Sequence, residues 1–145
     1  MTISSSMHRE IFNLLCAREI GSWKSRVTWS SDLLPVCVVK IEEDSGRFQN
    51  VVEWETWQRV KDTPHSRWFA ACKWISPNGS VLVMERTKIA SESDYPEKMP
   101  AFLSDFKRSN YGMIGKFLVC HDYGTHLMFE NGMTKRLQKV TWSDQ

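Results

Sequence analysis

One stretch limits the folds open to this chain more than any other: residues 101–124, AFLSDFKRSNYGMIGKFLVCHDYG. It sets Asp105 and Asn110 in an Asp-x-Lys-x-x-Asn hexad, follows them with the apolar run Phe117-Leu118-Val119-Cys120, and closes on Asp122-Tyr123-Gly124. The apolar run reads as a short strand. A hairpin with Asp105 and Asn110 on one arm and Asp122 after the other returns the chain to its start. Two carboxylates and an amide then converge at one end of that hairpin, and the rest of the fold has to be built to receive them.

With 145 residues the chain is one domain's worth, long enough for a sound core. Hydrophobic residues at 41% and charged residues at 25% are ordinary for a globular protein. A net charge of +2 is too small to argue for nucleic acid, and Lys135, Arg136 and Lys139 beside Trp142 read as a solvated basic face. Nucleic acid is therefore not the expected partner. Seven tryptophans, from Trp23 to Trp142, suit core and semi-buried packing because each ring buries a large area. Cys16, Cys37, Cys72 and Cys120 stand far apart without a Cys-x-x-Cys pair, so reduced, buried thiols are expected. Cys120, His121 and His126 match no zinc spacing. The N-terminus lacks a signal-peptide apolar core and no apolar run approaches a membrane span, so a cytoplasmic location is expected.

In chain order, residues 7–16 place Ile11, Leu14 and Leu15 at helical spacing, for a short helix or an edge segment. Residues 17–29 read as a strand, a turn at Gly21 and a second strand. Val36-Cys37-Val38-Val39-Lys40-Ile41 is the clearest strand of the first half, covered on both faces. Lys40 interrupts it, and a lysine in such a run is usually a snorkelling edge residue. After the turn Asp44-Ser45-Gly46, a helix is expected from about Asn50 to Lys61, with Asn50 as cap and Glu53 completing a capping box. Trp54, Trp57 and Val60 mark its buried stripe, and Glu55 faces solvent. Glu53 falls beside the stripe and points inward, where Lys40 is the natural partner. Capping chemistry alone would equally explain Glu53. Residues 68–75 and 81–85 form a hairpin about Ser76-Pro77-Asn78-Gly79. Residues 87–100 read as a surface connection, and Asn131-Gly132 as a tight hairpin between residues 127–130 and 133–136.

The order of strand, glycine turn, strand, strand with lysine, helix with inward glutamate, hairpin, linker, Asp105 hexad, strand and Asp122-Tyr123-Gly124 resembles the protein-kinase-like superfamily. More loosely, the chain is similar to the very small kinase-like proteins of bacteriophages and prophages. The resemblance covers residues 17–124. It implies an α+β fold: a small lobe of twisted antiparallel sheet with one main helix, plus a minimal catalytic-loop hairpin, without the large helical lobe. The expected organisation is a single domain, 1–145. Its parts are an extension (1–16), the sheet and helix (17–86), a linker (87–100), the catalytic-type loop (101–124) and a C-terminal hairpin and tail (125–145). In such a family Lys40 holds nucleotide phosphates and pairs with Glu53, and Asp105 is the catalytic base. Asn110 and Asp122 bind magnesium, and the segment at Met84 and Glu85 lies beside adenine.

Departures from the pattern are as informative. Only Gly21 survives of the glycine-rich loop, leaving Arg26 as a side-chain phosphate ligand in its place. Leu103-Ser104-Asp105 lacks the arginine that normally precedes the base. The resemblance implies ATP and Mg2+ as cofactors and phosphoryl transfer to an undefined acceptor. The alternative is a catalytically inactive kinase-like protein that acts by binding and inhibiting a protein partner, favoured by the missing lobe and the tryptophan content.

Overall fold

The β-branched run near residue 38 becomes the centre of the sheet. In a computed structural model describing residues 2–43, 47–124 and 133–145, β1 (Arg18–Trp23), β2 (Arg26–Ser30) and β3 (Cys37–Glu42) are followed in space by β5 (Val81–Glu85) and then β4 (Cys72–Ile75). All four pairings are antiparallel. Two α-helices accompany the sheet among the described residues, α1 (Ser5–Leu15) and α2 (Gln49–Val60), giving an α+β fold. Only α2 contributes buried residues. The Asp44-Ser45-Gly46 turn and the Asn131-Gly132 hairpin with residues 127–130 lie outside the described residues.

Alternation along β3 sorts its side chains onto two faces. Cys37 and Val39 pack with Cys16 and Val83 on one side. Val38 joins Leu82, Met84 and Val60 of α2 on the other, within the main core. By the same alternation Lys40 faces α2, opposite Thr28 and Leu82, and is only 3% exposed. The snorkelling role is thereby excluded, since an ammonium this deep on a central strand needs an internal partner.

The start of α2 differs from the expected cap. Phe48, with φ of 56°, stands at the cap position and makes no side-chain capping bond. Instead both carboxylate oxygens of Glu42, on the preceding strand, accept from the amides of Gln49 and Asn50 at 2.9 Å each. This tertiary cap releases the Asn50 side chain, whose Nδ2 donates to the carbonyls of Lys40 and Gly79 at 3.0 Å. The buried row of the helix is Asn50, Glu53, Thr56 and Val60, with Trp54 and Trp57 at its half-buried margins. A polar row can face inward because the sheet presents cations to it.

Gly21 is not the turn. The chain reverses at Lys24-Ser25, with Lys24 in the left-handed region at φ 52°, while Gly21 lies inside β1 beside a register shift. The second hairpin keeps its expected turn, with Gly79 at φ 78° and its amide donating to Ser76. Its first strand is shorter than read, because Pro64–Trp68 forms a 3-10 turn and the strand begins at Cys72.

Residues 87–100 are less superficial than expected. Met99 is fully buried in β6 (Lys98–Pro100), which pairs with β9 (Leu137–Lys139). Lys88 exchanges two backbone hydrogen bonds with Met113 of β7 (Tyr111–Ile114), the first arm of a hairpin with β8 (Phe117–Cys120). This crossing brings Thr87 so close to Gly112 that a Cβ there would lie 2.3 Å from the Thr87 Oγ1 and 2.9 Å from the Lys88 carbonyl. Gly112→Ala is expected to destabilise the protein by about 1–3 kcal/mol, the usual range for overpacking. Gly21→Ala, with no heavy atom near its Cβ, is expected to stay within about 0.5 kcal/mol of the parent. Thermal melts of the two variants check the contrast.

The C-terminal segment braces the loop of residues 105–110. Trp142 packs on the rings of Tyr95, Phe106 and Tyr111 and donates its Nε1 proton to Pro96 O at 2.8 Å. Ser143 exchanges backbone bonds with Phe106 and Arg108. Trp142 is therefore structural and does not lie on an open basic face. All four cysteines are buried free thiols. Among the described residues no helix is long and apolar enough to cross a membrane.

Candidate functional site

Four charged side chains from four segments meet at the open end of the sheet. Glu53, fully buried on α2, receives Arg26 Nη1 at 2.7 Å and Lys40 Nζ at 2.9 Å on one oxygen. Its other oxygen receives Arg26 Nη2 at 3.1 Å and the Tyr123 amide at 2.8 Å. Burial alone would raise the carboxyl's pKa, but Arg26 and Lys40 outweigh it and hold it down at about 2. Arg26, itself 5% exposed, also donates to Asp122 Oδ1 at 2.7 Å and Asn50 Oδ1 at 3.1 Å. Burial disfavours its charge, yet Glu53 and then Asp122 more than compensate, so the guanidinium stays ionised. Lys40 Nζ further donates to the carbonyl of His121.

Asp122-Tyr123-Gly124 is fixed from several directions. Beyond the Tyr123 amide on Glu53, the Tyr123 hydroxyl donates to Ala70 O at 2.8 Å and its ring packs edge-on against Phe69. Gly124 passes so near Gln49 that a Cβ would lie 3.0 Å from its side chain. The Asp122 carboxylate, 43% exposed, is left at the boundary between this packed floor and solvent.

The hexad forms a tight loop before β7. Asp105 takes φ of 52°, a left-handed conformation that Asp tolerates better than most residues. Its carbonyl accepts from the Lys107 amide at 2.8 Å and from Asn110 Nδ2 at 3.1 Å, and its own side chain is exposed. His121 ties this loop to the linker. Its Nε2 lies 2.7 Å from the Ser109 carbonyl, which can only accept, so Nε2 carries the proton and Nδ1 accepts from the Thr87 hydroxyl at 2.7 Å. Burial and then the Lys40 charge lower its pKa, in keeping with a neutral ring. In the sequence His121 stands out only as a poor zinc ligand, and nothing local reveals its clamp except its position immediately before Asp122.

These groups border one cleft of about 890 Å3. Lys40, Arg26, Asp105, Asn110 and Asp122 all line it, as do Gly21 and Glu85. Met84 does not: it is fully buried in the core, beside Val38 and Leu82. Arg26 also departs from expectation, because its terminal nitrogens are engaged by Glu53, Asp122 and Asn50 and none is free for a phosphate. Among the described residues seven basic side chains line the cleft against four acidic ones, a balance suited to an anion. Gln49 lines it too, and its buried Nε2 has no hydrogen-bond partner among the described residues. A donor left unsatisfied at a cleft wall is the kind of group a ligand completes.

No family model matches this chain. No curated protein matches it either. Among solved structures it is similar to the streptomycin–ATP–APH(2")-IIa ternary complex, at 17% identity with a TM-score of 0.44. The alignment covers 65% of this chain but only 35% of that one.

Magnesium fits the expected pair, Asn110 and Asp122, poorly. The ion requires near-octahedral oxygen coordination, commonly from one or two carboxylates with phosphate and water. Asp122 is the one carboxylate of that pair, enough in number, but one of its oxygens is already held by a buried guanidinium whose charge opposes a dication. Among the described residues no three His, Cys, Asp or Glu side chains converge on a metal position. The residues present do not fit the ion as they stand, whereas Lys40 and Gln49 fit an anion.

Proposed function

We propose that the protein is a minimal protein-kinase-like ATP-binding protein that transfers a phosphoryl group to an acceptor hydroxyl. The observation that carries this reading is the buried Lys40–Glu53 ion pair, which joins the central strand to the main helix beneath the cleft that Asp105 also lines. Lys40 then meets the nucleotide phosphates, with Glu53 fixing its ammonium. Glu85 and the backbone around it border the base, and Gly21 lies along the phosphate side. Asp105 accepts the proton of the acceptor hydroxyl as that oxygen attacks the γ-phosphorus and the bond to ADP breaks. The single-domain organisation of residues 1–145 and the likeness to very small bacteriophage kinase-like proteins belong to this reading, and the latter rests on motif order.

Calorimetric titration of ATP into the parent and Lys40→Met tests it. Saturable binding is expected for the parent, weakened in the variant by about 10- to 100-fold, as for loss of a charge-assisted contact. Equal binding by both proteins would remove Lys40 from the site.

A second reading, partner binding without phosphoryl transfer, is favoured by one observation. Trp74 is 52% exposed on β4, an edge strand, and such an aromatic is the usual anchor of a protein interface.

A further inference from the structure

Among the charges around the cleft, Arg26 is the one placed where an added cation would otherwise be needed. It bridges Glu53 and Asp122 through Nη2 at 3.1 and 2.7 Å, so one guanidinium is shared between the helix carboxylate and the carboxylate at the cleft boundary. Lys40 and Arg26 together balance Glu53 and Asp122 charge for charge. Without Arg26 the same cluster would present a net negative charge to any phosphate entering the cleft, and binding would call for a divalent ion. We infer that Arg26 is a built-in replacement for the metal: the cleft binds the nucleotide triphosphate without magnesium, with Asp122 neutralised by Arg26 and Lys40 as the phosphate ligand.

Several features reinforce the assignment. The guanidinium is planar and donates in a fork, so it satisfies two oxygens of Glu53 while still reaching Asp122, which a lysine could not do. It is held from its other side by Asn50, which is itself anchored to the carbonyls of Lys40 and Gly79. Arg26 is therefore a preorganised cation with no freedom to leave when a ligand arrives. Gln49, whose Nε2 has no hydrogen-bond partner among the described residues, adds a neutral amide donor on the same wall.

This inference rests on the nucleotide-binding reading, and the experiment separates the two. ATP is titrated calorimetrically into the protein in excess EDTA and again in excess magnesium, and Mn2+ binding to the protein without nucleotide is followed by electron paramagnetic resonance. ATP is expected to bind in EDTA with an affinity similar to that in magnesium, and the Mn2+ signal is expected to stay that of the free ion. Arg26→Met should weaken ATP binding in EDTA by about 5- to 150-fold, the range of typical coupling between sites, with recovery in magnesium. Should Arg26→Met fail to fold, Asp122→Asn decides. The exposed carboxylate contributes little to packing, and loss of its charge should tighten ATP binding in EDTA severalfold. Binding that appears only with magnesium, or that Asp122→Asn abolishes, overturns the inference while leaving nucleotide binding intact. Absence of binding under both conditions overturns the nucleotide reading and the inference with it.

Discussion

Glu53→Ala is expected to destabilise the protein by roughly 3–5 kcal/mol, the cost of leaving buried charges without their counter-ion. Both Arg26 and Lys40 would lose their common acceptor at positions 5% and 3% exposed, and the Tyr123 amide would lose its own. Urea denaturation of the variant gives the measurement, and a loss below about 1 kcal/mol would mean that water or another acceptor takes the carboxylate's place. The pH dependence has a defined sign. Glu53 is held at about 2 in the fold, below the ordinary 4.5, so its contribution is complete above about pH 4.5 and is lost as pH falls toward 2. Glu53→Gln removes the charge and should flatten that acid limb. Replacing Glu53, Arg26 and Lys40 together by Leu, Leu and Met tests whether the cluster exists for stability at all. Buried ion networks are often matched by apolar replacements, so this triple variant is expected to be at least as stable as Glu53→Ala.

Asp105→Asn is expected to lower phosphoryl transfer by about 10²- to 10⁴-fold, the usual contribution of a general base. Asparagine tolerates the left-handed φ of 52° at this position, so the loop geometry and melting temperature should survive. ADP release from ATP, with the protein or water as acceptor, is the readout. Trp74→Ala is the counterpart: it should leave ADP release unchanged, whereas under the partner-binding reading it should weaken a complex by about 2–4 kcal/mol. Full turnover in Asp105→Asn would take Asp105 out of the chemistry and leave the partner-binding reading in place.

The parts of this arrangement that were legible in the sequence are those fixed by local pattern. A β-branched run broken by one lysine placed Lys40 in β3, and helical angles placed Glu53 on the inner face of α2. The Gly79 turn followed from Ser76-Pro77-Asn78-Gly79. What escaped depended on residues far apart in the chain. Asn50 reads as a cap because nothing local reveals that Glu42 of the preceding strand will serve the helix amides. Gly21 reads as the turn because a left-handed lysine three residues further along the chain carries no sequence signal. Arg26 reads as a phosphate ligand for lack of glycines around it, while its pairing with Asp122 follows only from the docked hairpin. Met84 lost its place on the cleft wall because it is fully buried among Val38, Leu82 and the other core side chains, which no local pattern reveals.

The same ion cluster sets an order of assembly. Lys40 and Glu53 are 13 residues apart, so their encounter belongs to the local folding of β3 with α2. Arg26 and Asp122 are 96 apart, and closing that longer loop costs about 2 kcal/mol more in chain entropy. The loop carrying Asp105 closes later still, because its bracing requires Trp142 and Ser143, more than thirty residues further along, to return to it. On a ribosome, a sheet and helix with two buried cations would form while the hexad and its brace were still being synthesised. The nascent chain would then hold an Arg26 guanidinium without its Asp122 partner until the segment of residues 105–124 had docked.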